Sequence, residues 1–442
     1  METRVVNPLT SQAHKAHVAA FPHPLKPLRS LPSGQREASP RGTSNAAIRD
    51  ASTFYYVLYS TEPVCVLLDA LRSGRLAALL CTVLLRDPRN HDMKIFAAIL
   101  AITASIAAAQ PPVPTASSPW QAQTSPLTVE LRGLSAVSER VAWASGAKGT
   151  VLRTIDGATW EVRRVEGAES LDFRDIEAFD ENTAIAMSIG PGEASKVFKT
   201  GDGGAHWRLV FANHEPTGFW DAIAFWDRRN GALFGDPVRG RFQVFTTADG
   251  GETWKPVAEG GLPMSLEGEG AFAASGSCLA AGPGKRLAFV TGGASESRAF
   301  VSTDGGRRFR VSTVPVPAGA ASKGLFSVAW IDGKTLIAVG GDYRLPTLEG
   351  VKASLSQDRG EHWAAIAASP GFLSSVVRGP GASVVVAVGL AGTGISNDGG
   401  RTWRALDAAP YNTVAFAPGK QAGWTVGPKG VIARWRIDPP RR

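Results

Sequence analysis

An all-β fold, a seven-bladed β-propeller built of four-stranded antiparallel blades, is predicted by three observations on this 442-residue chain. The first is a phrase that returns six times: "RTIDGATW", "KTGDGGAHW", "TTADGGETW", "VSTDGGRRF", "LSQDRGEHW" and "ISNDGGRTW". Its aspartates, at positions 156, 202, 249, 304, 358 and 398, are 46, 47, 55, 54 and 40 residues apart, in or near the period of a propeller blade. The second is that each phrase belongs to a longer unit of four short strand patterns. The third is composition, with 12 Trp and 49 Gly, which suits short strands joined by tight turns.

Within a unit the elements follow a fixed order. An apolar strand comes first ("FRDIEAF", "FWDAIAFW", "LFSVAWI", "YNTVAFA"), then a strand ending in glycine ("RVAWASG", "TLIAVGG", "VVVAVGL", "GWTVG"). A third strand ("GTVLRTID", "SKVFKTGD", "FQVFTTAD") runs into the aspartate turn, and a fourth leaves after the aromatic. The last unit lacks its fourth strand. Trp120, in "SPWQAQTSPLTVEL", stands ahead of the first inner strand by the interval seen after Trp160 and Trp207. The N-terminal strand is therefore expected to complete the last blade and close the ring, hiding sheet edges that otherwise template association. In the turn itself, the short carboxylate of Asp156, Asp202, Asp249, Asp304, Asp358 or Asp398 is suited to accept backbone N–H groups, and the glycines supply φ > 0. The aromatic is expected to pack between blades. These six aspartates are read as structural.

Domain organisation follows. Residues 126–442 form the propeller and 110–125 a Pro/Ser-rich lead-in. "MKIFAAILAITASIAAAQ", from Met93, has one basic residue, an apolar run and small residues before Gln110, the layout of a signal peptide over 93–109. That placement predicts a mis-called start, with residues 1–92 a non-native or disordered extension. The rival reading is a genuine extension with an internal anchor, but the apolar run is short against the about 20 residues a span needs. The expected location is periplasmic or secreted, with no membrane span after cleavage. From Gln110 onward 35 Lys and Arg face 32 Asp and Glu, and no basic run interleaves with aromatics, so nucleic-acid binding is not expected. Cys278 is alone in that region and cannot form an internal disulfide.

The "SxDGGxxW" turn resembles the Asp-box, or BNR, repeat of the sialidase superfamily. With "GWTVGPKGVIARW", the region from about Pro126 to Arg436 is similar to the photosystem II stability/assembly factor-like group of seven-bladed propellers. That resemblance implies protein binding during assembly, or an envelope function. Asp-box propellers also include glycoside hydrolases, while some relatives carry an oxidoreductase label. No strand–GxGxxG–helix unit is present, so no dinucleotide cofactor is expected. The sialidase pattern needs an arginine triad and a tyrosine nucleophile backed by glutamate. Only Tyr343 and Tyr411 follow Gln110, and no "FRIP"-type motif occurs, which speaks against sialidase activity.

The units differ most on the face opposite the aspartate turns: "SIGPGEASK", "FGDPVRGRF", "GGDYRLPTLEGVK", "ANHEPTGFWD" and "GLPMSLEGEGAFAASG". Such loops are where binding residues are expected. The candidates are Asp175, Asp221, Asp236, Arg239, Arg241, Glu267, Glu269, Asp342, Tyr343 and Arg344. Carboxylates suit hydroxyls, arginines suit carboxylate groups, and aromatics stack. For Asp175 and Asp221 a bridging role between blades is the alternative. A glycosidase would need a carboxylate pair, for which Asp236, Glu269 and Asp342 are the candidates. No metal site is expected: His206, His214 and His362 are not spaced as ligands, and no CxxC exists. No GxSxG elbow is present. The chain is thus expected to be an exported, monomeric, non-catalytic binding or assembly propeller without a cofactor, its partner an envelope protein or a carbohydrate. The alternative is a carbohydrate-active hydrolase or lyase, with an oxidoreductase behind it.

Overall fold

The computed structural model describes residues 118–366, 371–419 and 421–435. The expected extension and signal peptide lie outside the described residues. Strand β1 (Trp120–Gln123) comes first. Blade 1 holds β2 (Leu131–Ala136), β3 (Ala142–Gly146), β4 (Thr150–Thr154) and β5 (Glu161–Val162). Blade 2 holds β6 (Asp172–Ala178), β7 (Ala184–Ile189), β8 (Lys196–Thr200) and β9 (Arg208–Ala212). Blade 3 holds β10 (Trp220–Phe225), β11 (Gly231–Val238), β12 (Arg241–Thr247) and β13 (Lys255–Pro256). Blade 4 holds β14 (Leu279–Gly282), β15 (Arg286–Val290), β16 (Ser297–Ser302) and β17 (Arg310–Val314). Blade 5 holds β18 (Lys323–Trp330), β19 (Leu336–Asp342), β20 (Ala353–Ser356) and β21 (Ala364–Ile366). Blade 6 holds β22 (Ser375–Arg378), β23 (Val385–Gly389), β24 (Gly392–Ser396) and β25 (Arg404–Asp407). Blade 7 holds β26 (Thr413–Phe416), β27 (Gly423–Val426) and β28 (Ile432–Trp435), completed by β1.

Closure is as expected: Trp120 pairs with Trp435 and Gln123 with Ile432, antiparallel. The inner strands touch in one unbroken circuit, β2 to β6, β10, β14, β18, β22, β26 and back to β2. Stacked blades cover both faces of the central strands, so β3, β7, β19 and β23 are buried at every residue and read as continuous apolar and small runs. Outer strands such as β9 are exposed or half-buried.

The aspartate turn is a closed hydrogen-bond unit. Asp249 Oδ1 accepts from the backbone N–H of Glu252 at 3.1 Å and Thr253 at 3.0 Å, and its Oδ2 from the Thr253 hydroxyl at 2.6 Å. The Thr247 hydroxyl donates to Asp249 Oδ1 at 2.8 Å and accepts from Gly251 N at 2.9 Å. Gly250 and Gly251 have φ of 77° and 83°, which L side chains rarely adopt. The turn is also tied to the turn between the first two strands of its own blade. Gly203 N donates to Asn182 O, Gly250 N to Arg229 O, Gly305 N to Lys285 O and Gly399 N to Ser383 O, all at 2.8–3.0 Å. Both turn sets therefore share one face, and the remaining loops share the other. Three of the turn aromatics reach back to the preceding blade: Trp160 Nε1 donates to Gln123 Oε1, Trp207 Nε1 to Arg163 O and Trp363 Nε1 to the Ser312 hydroxyl, while Trp254 and Trp403 donate to Gly251 O and Gly400 O of their own turns.

In four inner strands the register slips at one place, between Leu131 and Gly133, Phe173 and Asp175, Trp220 and Ala222, and Leu325 and Ser327. The skipped residues are Arg132, Arg174, Asp221 and Phe326. A bulge re-aims the side chain it carries, and these four bulges set up the site.

Candidate functional site

The connection from blade 3 to blade 4 runs into the central channel. Around Phe272 to Ser277 it meets five other blades. Arg132 Nη1 donates to Ala274 O at 3.0 Å and Arg174 Nη1 to Ala273 O at 3.1 Å. Phe326 stacks on Phe272, with ring centroids 3.9 Å apart and planes 8° from parallel. The Ser275 hydroxyl donates to Ser374 O at 2.7 Å, and Ser275 O accepts from the Thr413 hydroxyl at 3.2 Å. Ser277 Oγ lies 2.8 Å from Ser327 Oγ. Three of the four bulged side chains, Arg132, Arg174 and Phe326, thus grip this segment. A Cβ on Gly276, whose φ is 73°, would fall 2.3 Å from Asp175 Oδ1, so only glycine fits there.

Both channel arginines are buried beside an acidic neighbour. Arg132 Nη2 donates to Glu130 Oε1 at 2.6 Å, and Arg174 Nε to Asp172 Oδ2 at 2.8 Å. Burial, and then the nearby Arg174 charge, lower Arg132 to about 10. The sequence reading missed both arginines and the channel segment. Their signal was positional: Arg132 and Arg174 follow the first apolar residue of the inner strand, the place that Asp221 and Phe326 hold in blades 3 and 5.

The structure disperses the sequence-predicted residues. Asp175 is buried in β6, its Oδ1 accepting from Ile176 N at 2.8 Å and its Oδ2 from Ile223 N of blade 3 at 2.7 Å. Burial outweighs these bonds and raises it to about 7. Glu177, two residues on, is raised to about 8 by burial and by Asp175. Asp221 is fully buried. Asp236 is buried, its Oδ1 accepting from Ala271 N at 2.8 Å. Glu269 has no exposed side-chain surface: it takes Arg298 Nε at 2.9 Å, Arg298 Nη2, the Thr291 hydroxyl at 2.5 Å and Leu266 N at 2.8 Å. Asp342 is buried and accepts from Arg344 N at 3.0 Å. Arg241 Nη1 binds the carbonyls of Glu259 and Leu262 at 3.1 and 2.9 Å.

What remains on the loop face is exposed or half-exposed. Arg239 holds a left-handed φ of 52° and stands 3.5 Å from Glu215. Glu267 is exposed. Tyr343 is half-buried against Phe326, and the exposed Arg344 lies 6.0 Å over its ring. Met264, Leu345 and Leu348 are exposed apolar side chains on the same loops. On the opposite face Asp358, Glu361 and His362 lie within 4.8 Å of one another. Asp358 is already bonded to His362 Nδ1 at 2.6 Å, and Glu361 to Arg310. No helix among the described residues is long and apolar enough to cross a membrane.

These features define a seven-bladed propeller with an occupied channel and an irregular loop face. No family model and no curated protein matches the chain. Among solved structures it is similar to YCF48 bound to D1 peptide, at 19% identity and a TM-score of 0.54, over 73% of this chain and 96% of that one. It is also similar to YCF48 from Cyanidioschyzon merolae, at 17% identity and a TM-score of 0.52, over 72% and 98%. At such identities the likeness is one of fold.

Proposed function

We propose that this chain is a non-catalytic propeller of the Asp-box type that holds a segment of a protein partner on its loop face, as an assembly or binding factor. The observation that carries this reading is the contrast between carboxylates and rim. Glu269, Asp236 and Asp342 are buried in bonds to their own fold, while Arg239, Glu267, Tyr343, Arg344, Met264, Leu345 and Leu348 stand at the surface. Glu269 gripped by Arg298 is a poor general acid or nucleophile, because its charge and lone pairs are already matched. A rim of arginine, tyrosine and apolar side chains has the composition of a protein contact. The similar fold of YCF48 bound to D1 peptide supports a peptide segment as the occupant. In this reading the protein is exported and meets its partner in the envelope.

The test is site-specific photo-crosslinking in the source cells, with the reactive group at Leu345 on the loop face or at Ala205 on the aspartate-turn face. A defined protein adduct from position 345 and none from 205 is expected. An adduct from 205 alone, or sugar release from a polysaccharide that stops in a folded Glu269→Gln variant, would overturn the reading.

A further inference from the structure

On the aspartate-turn face two seams between blades are closed by one pattern of ion pair. Glu252, the first residue after the glycines of the blade 3 turn, reaches back to blade 2. It accepts from Lys199 Nζ at 2.8 Å and from Arg208 Nη2 at 2.7 Å. Glu361 of blade 5 reaches back in the same way to Arg310 of blade 4. Arg208 and Arg310 hold equivalent places, each directly after the turn aromatic of its blade.

The seam between blades 3 and 4 has the opposite chemistry. Arg307 stands where Glu252 and Glu361 stand, Lys255 where Arg208 and Arg310 stand, and Thr246 where Lys199 stands. Arg308 and Lys285 add two more cations. Among the described residues none of the four cations forms an ion pair. The nearby carboxylates are held by their own turns: Asp304 Oδ1 takes the N–H groups of Arg307 and Arg308 at 3.0 Å, and Asp227 Oδ1 those of Arg229 and Asn230 at 2.8 Å. The turn aromatic is Phe309, which has no indole N–H and meets the blade 3 to 4 connection through its backbone N–H on Gly261 O at 2.8 Å. Outer strand β13 stops after Pro256, whose ring nitrogen cannot donate to a ladder.

A cleft of about 770 Å³ is left between the two blades, walled by Trp226, Thr246, Lys285, Arg307 and Arg308, with Asp304 its one lining carboxylate. That is within the range of small-molecule sites. Trp226 offers an apolar wall, since its indole N–H already donates to Arg286 O at 2.6 Å. Lys285 is fixed by a left-handed turn, φ 57°, with its carbonyl accepting from Gly305 N at 3.0 Å.

We propose that this cleft binds a small organic acid with two or more carboxylates, which fills the place of the glutamate absent from this seam. A carboxylate is the group the fold itself uses at the equivalent position of two other seams, and guanidinium forks match it. More than one is called for because the three cations Arg307, Arg308 and Lys285 all border the cavity against the single carboxylate of Asp304, which leaves two cations in excess. The walls on both sides favour a small molecule over an extended chain. This site is on the face opposite the loops and does not depend on the partner reading above.

The test is calorimetric titration of the full chain with citrate at constant ionic strength. Wild type is expected to show one saturable site. Arg307→Glu should weaken it by about tenfold or more. The pair Thr246→Lys with Arg307→Glu, which rebuilds the seam between blades 2 and 3, should abolish binding and melt no lower than wild type. Arg401→Glu, at the same turn place in blade 6, should bind as wild type. Absence of saturable citrate binding, or full binding by the rebuilt seam, overturns the proposal. So does binding of a tetraglutamate peptide where citrate is silent, which would assign the cleft to a protein partner.

Discussion

Asp175 of blade 2 spans the seam to blade 3, its Oδ2 accepting the backbone N–H of Ile223 at 2.7 Å while Oδ1 accepts that of Ile176 at 2.8 Å. The carboxylate joins two inner strands that share no ladder, and burial raises it to about 7. The unfolded chain loses this proton near pH 4, the folded chain near 7. Its contribution is therefore complete below about pH 4 and is lost as pH rises through about 7. Thermal midpoints of wild type should fall between those values, and the fall should be shallower in Asp175→Asn. Glu177, raised to about 8, leaves a residual slope. Parallel profiles would contradict this.

Asp249 works in the opposite direction. The hydroxyl and backbone N–H of Thr253 hold its carboxyl down to about 2, so its contribution is present above about pH 4 and lost as pH falls through about 2. Asp249→Ala should cost about 1 kcal/mol in denaturant melts at pH 7, as the loss of other capping side chains does. The cost should shrink toward pH 2. A larger penalty at pH 2 than at pH 7 would show that the turn is held by something else.

Trp120 carries the ring closure. It is buried, its Nε1 donates to the Thr393 hydroxyl at 3.1 Å, and it meets Trp435 edge-on at 4.9 Å. Trp120→Ala should cost about 3–5 kcal/mol and expose the free edge of β28, seen as concentration-dependent association in sedimentation. A monomeric variant of near wild-type stability would refute closure by β1.

Much of this architecture was legible in the chain because it repeats. The spacing of Asp156 through Asp398 gave the blades, and the unpaired final unit together with Trp120 gave the closure. The alternative weighed for Asp175, a bridge between blades, is the role found. The channel segment was hidden because Phe272 to Ser277 has no period and its anchors, Arg132 and Arg174, lie about a hundred residues or more away. Glu269 looked available because its partner Arg298 is 29 residues distant, and only strand register brings the two together. Charge in a loop segment says nothing of whether the loop folds inward.

Glu269→Gln should show how far that pair is structural. Removing the charge leaves Arg298 buried without its counter-ion, at a cost of about 3–5 kcal/mol. The melting point should fall at pH 7, and binding of the crosslinked partner by the folded fraction should be retained. Unchanged stability with lost activity on any substrate would instead mark Glu269 as functional.

The most direct measurement is the affinity of the partner captured from position 345, determined for wild type, for Arg239→Glu with Arg344→Glu, and for Arg401→Glu on the other face. The account predicts at least about a tenfold loss for the loop-face pair and none for Arg401→Glu. Equal affinity of all three, or a loss confined to Arg401→Glu, would contradict a loop-face binding protein.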